Sequence, residues 1–168
     1  MSEQPGQSPG TTGAPPGPEP GYQAQQPVAY SSGSGPSGPR AGFWIRFAGL
    51  LLDGLILAVP TIVLFLILDV GIAYVLTFVV VLAYFIALEG GPTGQTLGMK
   101  AVSIRVVDFD GGGPIGYGRG TVRALVQYFL SGILYLGYLW MLWDREKQTW
   151  HDKASRSVVV PVSAYPVQ

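Results

Sequence analysis

One apolar run with two charges inside it constrains this chain more than any other feature: FWIRFAGLLLDGLILAVPTIVLFLIL, Phe43 to Leu68. It is longer than the ~20 residues that cross a bilayer core. Its only charges are Arg46 and Asp53. Arg46 sits near the start, where a long side chain snorkels to the headgroups. Asp53 lies about ten residues in, close to the bilayer midplane, where an ionised carboxylate costs roughly 2.5–3.5 kcal/mol on insertion scales. A partner, water or a proton must compensate it. Arg46, Asp53 and Pro60 recur every seven residues, with Gly42 and Gly49 on nearly the same face. One stripe of polar and small residues therefore faces protein and the Leu/Ile/Val remainder faces lipid. Arg46 and Asp53 are ~10 Å apart along the axis, too far to pair with each other. Each needs a partner from elsewhere in the chain.

Asp69 and Gly71 mark a short turn into a second, uncharged span, Val70 to Leu88. The two spans predict an antiparallel transmembrane helical hairpin. Tyr74, Thr77 and Tyr84 fall on one face of the second span. Their hydroxyls are candidate donors to Asp53; the other reading is that the tyrosines pack or anchor at an interface. Thr121 to Trp143 is a third apolar block, in which Arg123, Gln127, Ser131 and Tyr138 share a face. Arg123 is either the partner of Asp53 or a headgroup anchor. Gly132 and Gly137 are placed to break the block into two re-entrant half-helices, which are tolerated where protein or water buries the backbone. A single crossing is the alternative, since the block reaches ~35 Å as a helix.

Between the spans and the third block, Glu89 to Gly120 is too polar to cross. Gln95 to Lys100 reads as a short interfacial helix and Ala101 to Val107 as a strand. Asp110-Gly-Gly-Gly-Pro is a turn, which predicts a small β-hairpin at the membrane surface with Ile115 and Tyr117 on its return arm. Ser157 to Val162 (SVVVPV) is a second β-like segment able to pair with the 101–107 strand. GPTGQTLGMK is not a phosphate loop: its spacing does not fit, and no Ser or Thr follows Lys100. His151 and Asp152 are residue types used in general base chemistry. No nucleophile stands beside them and adjacent residues rarely face each other, so the segment Asp144 to Lys153 reads as a hydrogen-bonded clamp at the membrane surface.

Of 168 residues, 48% are hydrophobic and only 12% charged, with ten basic and ten acidic side chains. The charged share is about half that of a soluble domain. No global basic bias argues for nucleic acid. There is no cysteine and a single histidine, so neither a disulfide, a metal site nor a cofactor is expected. Residues 1–40 are rich in Gly, Pro, Ser and Gln, a composition that cannot offset its ordering entropy and predicts a disordered tail. The tail has no apolar core of a cleaved signal peptide, so the 43–68 helix reads as an uncleaved anchor. Residues 41–161 form the membrane domain, with spans at about 43–68, 70–88 and 121–143, and 162–168 a C-terminal tail. The basic residues Lys100, Arg105, Arg119 and Arg123, and Arg145, Lys147, Lys153 and Arg156 further on, favour cytoplasmic placement of both sets. The expected class is thus an all-α, multi-pass cell-membrane protein with its N-terminus in the cytoplasm.

The runs FWIRFAGLLLDGLIL, PTGQTLGMKAVSIRVVDFDGGGPIGYGRGTVRAL and LWMLWDREKQTWHDKASRSVVV resemble the RDD family of bacterial membrane proteins over roughly residues 42–161. The family is named for one arginine and two aspartates. The resemblance implies that these are Arg46, Asp53 and Asp152, with Asp144 as the other position for the second aspartate. The family commonly has glycine-threonine before the final valines, where this chain has Ser155-Arg156-Ser157. The resemblance lends weight to transport, including sodium/proton antiport suggested for some members, and names no substrate. Two function classes follow. One is a small transporter or cation/proton pathway using the intramembrane carboxylate of Asp53. So few spans hardly enclose a path, so it needs a homo-oligomer or a membrane partner. The other is a non-transporting scaffold or accessory subunit recruiting a partner through its tail. No constellation for an enzyme is visible. The candidate residues are Arg46, Asp53, Arg123 and Asp152, then Tyr74, Thr77, Tyr84, Gln127, Asp144 and His151.

Overall fold

A computed structural model describes residues 38–131 and 136–167. Most of the tail, and Gly132 as a breaking point, lie outside the described residues. Two long helices dominate: α1, Phe43–Ile67, and α2, Val70–Glu89. Both are long and apolar enough to cross a membrane. The turn between them is closed by the Asp69 carboxylate, which accepts from the Gly71 amide and caps α2. Phe65 meets Tyr74 edge-on just across it, with centroids 4.9 Å apart.

A polar lobe sits at the opposite end of this hairpin. It holds α3 (Leu97–Ala101), β1 (Ile104–Asp108), α4 (Gly116–Val126), α6 (Trp150–Ala154) and β2 (Ser157–Pro161). β1 pairs antiparallel with β2, Val106 opposite Val159. The period of two places Ile104, Val106 and Val159 with Ala41 and Ile115 on one face, and Val107, Val158 and Val160 with Tyr165 on the other. Both faces are buried, which is why valine and isoleucine dominate both strands, Arg105 and Ser157 being buried among them. The segment before α1 is tied in as well: the Ala41 amide donates to the Val159 carbonyl at 2.9 Å and the Gly38 amide to the Tyr165 hydroxyl at 2.5 Å. Both flanks of the chain therefore meet at this end.

Three expectations need correction. The small sheet is not a local hairpin; the partner of β1 is β2, the pairing that SVVVPV allows. The foreseen return arm, Ile115 to Tyr117, instead buries Ile115 and opens α4. Its alternating glycines offer no cross-strand side chains, whereas Val158 to Val160 are β-branched. The third block is not one helix. Helical structure begins at Gly116 and passes into a π turn at Gln127–Ser131; beyond residues 132–135, which lie outside the described residues, come α5, Leu136–Leu139, and a 3-10 turn, Trp140–Leu142. The π turn reaches α2, with Tyr128 and Phe129 rings 4.9 and 6.1 Å from Phe78. Tyr138 is already back at the first residue of α1, 5.7 Å from Phe43. The described parts of the block thus pack on α2 before residues 132–135 and on the start of α1 after them. Finally, the small-residue stripe of α1 is covered only as far as the lobe extends: Arg46, Gly49 and Asp53 are buried, while Pro60 is exposed.

Close backbone approach fastens the lobe to the hairpin. A side chain at Gly98 of α3 would place its Cβ 2.1 Å from the Gly49 carbonyl oxygen of α1. One at Gly120 of α4 would lie 2.9 Å from the Gly90 Cα at the end of α2. Where the family usually has glycine before the valines, Arg156 itself takes the left-handed conformation, φ 47°. Its guanidinium reaches the Asp110 carboxylate at 2.5 Å.

Candidate functional site

The apolar environment that makes Arg46 and Asp53 costly also dictates that they be surrounded. Two polar clusters do this, side by side between the hairpin and the lobe. In the first, Asp53 accepts three hydrogen bonds: from the Tyr84 hydroxyl at 2.5 Å, the Thr96 hydroxyl at 2.6 Å and the Gly98 amide at 2.7 Å. Thr96 caps α3 through the Met99 amide, and the Leu97 amide donates to the Tyr84 hydroxyl at 3.0 Å. At the start of α3 the Gly98 amide thus donates to the carboxylate itself, and the Leu97 and Met99 amides donate to the two hydroxyls that also hold it. Neutral donors alone satisfy Asp53, and it is 1% exposed.

The second cluster is a chain of alternating charges. Arg46 donates to Asp152 at 2.5 Å and to the Lys147 carbonyl at 2.9 Å. Arg123 is bonded to Asp152, to Glu89 at 2.8 Å and to the Ser157 hydroxyl at 3.0 Å. All four charged side chains are buried. Asp152 is held from a third side by a capping box: its carboxylate accepts from the Thr149 amide at 2.9 Å, and the Thr149 hydroxyl accepts from the Asp152 amide. Burial alone would raise the Asp152 pKa. The guanidinium charges of Arg123 and Arg46 overcome it and hold the carboxyl far below the usual range. His151, next in sequence, is buried 6.2 Å from the Tyr138 ring. Burial first, and then the Arg123 charge, push its pKa well down, so the imidazole is neutral.

The structure therefore unites Arg46, Asp152 and Arg123 in one network and gives Asp53 to a different one. Arg123 serves Glu89 and Asp152; it neither pairs with Asp53 nor acts as a lone headgroup anchor. Nor does Arg46 snorkel outward. Tyr84 reaches Asp53; Tyr74, at 66% exposure, does not. The Thr77 hydroxyl and the Gln127 carbonyl oxygen are buried with no hydrogen-bond partner among the described residues. Asp144 stands apart, pairing with Lys153 and accepting from the Glu146 and Gln148 amides. Sequence reasoning missed Glu89, Thr96 and Gly98. Glu89 had a signal, an acid closing an uncharged helix that Arg123 must face; Thr96 had one too, as the cap of LGMK. A cavity of about 20 Å³ lies between the clusters, lined by Arg46, Asp53, Glu89, Arg123, Gln127 and His151 among others. Among the described residues, no group of three or more His, Asp or Glu is arranged to hold a metal ion.

Comparison with known proteins bears on the same residues. The RDD family model matches residues 40–156, a range that contains every charged residue of both clusters. The "Proline-rich antigen homolog" of Mycobacterium tuberculosis (strain CDC 1551 / Oshkosh) is 36% identical over 84 residues, covering 48% of this chain and 35% of that protein. The "Proline-rich antigen" of Mycobacterium leprae is 35% identical over 72 residues, covering 43% of this chain and 29% of that protein. This chain thus spans about a third of the length of the mycobacterial relatives. The "Uncharacterized protein YxaI" of Bacillus subtilis (strain 168) is 30% identical over 148 residues, 71% of this chain and 96% of that protein. No solved structure matches the chain significantly.

Proposed function

The chain belongs to the RDD family, and from that premise we propose that it is a membrane scaffold or accessory subunit. In this reading a two-span hairpin holds a polar lobe at the cytoplasmic face of the cell membrane. What supports the spanning role is where the apolar surface points. Leu55, Leu66, Val75 and many neighbours are more than half exposed on helices with almost nothing buried beyond the lobe. A soluble core helix hides such residues; a lipid-facing helix presents them. Orientation follows from charge. All ten Lys and Arg lie between Arg40 and Arg156, on the lobe and the helix ends it covers, while the far turn carries only Asp69. The positive-inside bias then puts the lobe, and both flanks of the chain, in the cytoplasm.

One observation carries the scaffold reading over transport: each charge of the site is already answered. Asp53 has three donors, and Arg46, Asp152, Arg123 and Glu89 close on one another. A carrier site leaves part of its coordination for the cargo; this one is a clasp between hairpin and lobe. The clasp has no catalytic step. The bilayer is the first partner. The N-terminal arm leaves from the lobe at Gly38 and is positioned to recruit a second, with a homo-oligomer or another membrane protein covering the hairpin. A cation/proton pathway is the second reading, favoured by the cavity beside Asp53 and by the unpartnered Gln127 oxygen.

Proteoliposomes containing wild type or Asp53→Asn, given sodium, lithium and potassium pulses, separate the two. The scaffold reading expects no cation-driven proton flux from either protein and a lower unfolding midpoint for the variant. Flux in wild type that disappears in a folded Asp53→Asn protein would overturn it in favour of transport.

A further inference from the structure

We infer that the turn Arg145–Lys147, with the tryptophans beside it, binds the headgroup of an anionic phospholipid; this rests on the membrane reading above. The first observation is a charge census. Asp108, Asp110, Asp144 and Glu146 of the lobe are paired with Arg119, Arg156, Lys153 and Arg40, and Glu89 and Asp152 are closed within the clasp. Lys100, Arg145 and Lys147 enter no ion pair among the described residues, and all three are exposed. The lobe therefore shows cations and no uncommitted acid.

The second observation is where two of these cations sit. The Arg46 guanidinium donates to the Lys147 carbonyl, pinning this turn against the first turns of α1. Asp144 fixes it from inside through the amides of Glu146 and Gln148, and the Lys147 amide closes on the Asp144 carbonyl at 3.0 Å. Glu146, between the two cations, is turned to Arg40 at 2.5 Å. The same end of the hairpin carries large apolar side chains with no cover: Trp44 at 77%, Trp143 at 75%, Leu142 at 56% exposure. Tryptophans at this depth seat in the headgroup region. Cations on a fixed turn immediately beyond them meet the phosphate layer, where each basic residue near an anionic surface raises affinity by about fivefold. An acidic peptide would satisfy the cations and leave Trp44, Leu142 and Trp143 in water; a lipid satisfies both.

The test uses the full chain in nonionic detergent, mixed with equimolar phosphatidylglycerol and phosphatidylcholine, with retained lipids counted by native mass spectrometry. Wild type is expected to retain phosphatidylglycerol selectively. Arg145→Gln with Lys147→Gln should lose about twenty-five-fold of that preference, two steps of the fivefold factor, and the charge-keeping Arg145→Lys with Lys147→Arg should retain it. Equal retention of both lipids by wild type, or an unchanged preference in the glutamine variant, overturns the inference. So does displacement of the lipid by inorganic phosphate or by a poly-glutamate peptide, which would assign the turn to a free anion or to a protein. Alkaline carbonate extraction of cell membranes separates the premises. A chain washed out by carbonate sinks the membrane reading and this site with it. A chain that resists extraction yet shows no lipid preference sinks only the headgroup site.

Discussion

The two halves of the hairpin have the same kind of sequence and opposite surroundings. In the half beside the lobe, α1 buries Arg46, Gly49 and Asp53 and α2 ends in buried Glu89. In the outer half, only Ala73 is buried, and Pro60 continues the seven-residue stripe into the open. The comparison shows that a polar stripe on an apolar helix is covered only where another element brings donors to it. For Asp53 these donors are Thr96 and Gly98 at the start of α3; for Arg46 the partner brought in is an acceptor, Asp152 of α6. It also explains why the lobe is small and still well fixed. It is fastened by charges that have no other place to go in an apolar setting, more than by apolar area of its own.

The largest break in that comparison should come from Arg123→Ala. Arg123 is the one cation shared by two buried carboxylates, Glu89 and Asp152. Removing one partner of a buried pair leaves an uncompensated charge and costs about 3–5 kcal/mol. The thermal unfolding midpoint in detergent should fall more than for any other single change proposed here. Arg123→Lys should recover little, because one ammonium cannot reproduce a fork that uses both Nε and Nη1. A midpoint close to wild type would mean that the clasp does not hold the lobe.

Next in size is Gly98→Ala. The added Cβ would meet the Gly49 carbonyl oxygen, the Asp53 carboxyl carbon at 2.8 Å and the Asp53 amide at 2.9 Å, and backbone cannot yield cheaply. Overpacking of this kind costs about 1–3 kcal/mol. It should also push α3 off Asp53, which loss of amide protection at Leu97 and Gly98 in hydrogen exchange would report.

The hairpin was legible because length and hydropathy alone define it, and so was the need of Asp53 for a partner. The identity of that partner was less so. Tyr84 was within reach of reading, since its face was set by helical periodicity. Thr96 and Gly98 arrive from a loop whose fold no periodicity specifies. Neither reading open to Arg123, partner of Asp53 or headgroup anchor, includes Glu89, because the sequence joins Glu89 to the polar loop while the structure makes it the last residue of α2. The β1–β2 pairing spans many residues, and a nearer return arm competed for the same strand. What decided it was side-chain chemistry at Val158 to Val160 against the glycines of 116–120.

A smaller, pH-dependent effect should separate the clasp from its neighbour. His151 is buried neutral, its pKa pushed down in the fold, while unfolded chain titrates at about 6.5. Below that pH the unfolded state takes up a proton that the folded state refuses. Stability is therefore full above about pH 6.5 and declines as pH falls toward the folded value. Asp152 has the same sign in a lower window. Its folded pKa is depressed, so its contribution holds above about pH 4 and is lost only as pH falls further. Unfolding midpoints between pH 5 and 7 should slope for wild type and flatten for His151→Gln. An equal slope in both would move the titration elsewhere.

The smallest effect belongs to the uncovered face of α1. Gly54 is one residue past Asp53, and a Cβ added there meets nothing within 4 Å. In an exposed helix interior, Gly54→Ala should leave the unfolding free energy unchanged or raise it by no more than about 1 kcal/mol. The contrast with Gly98→Ala, the same substitution a short distance away, is the sharpest form of the comparison. Measured at low and high protein concentration, it also asks whether this face stays bare. A Gly54→Ala protein that loses stability only where wild type self-associates would place a second copy against it. That face of α1 would then be covered in the assembly, by a second copy rather than by the lobe.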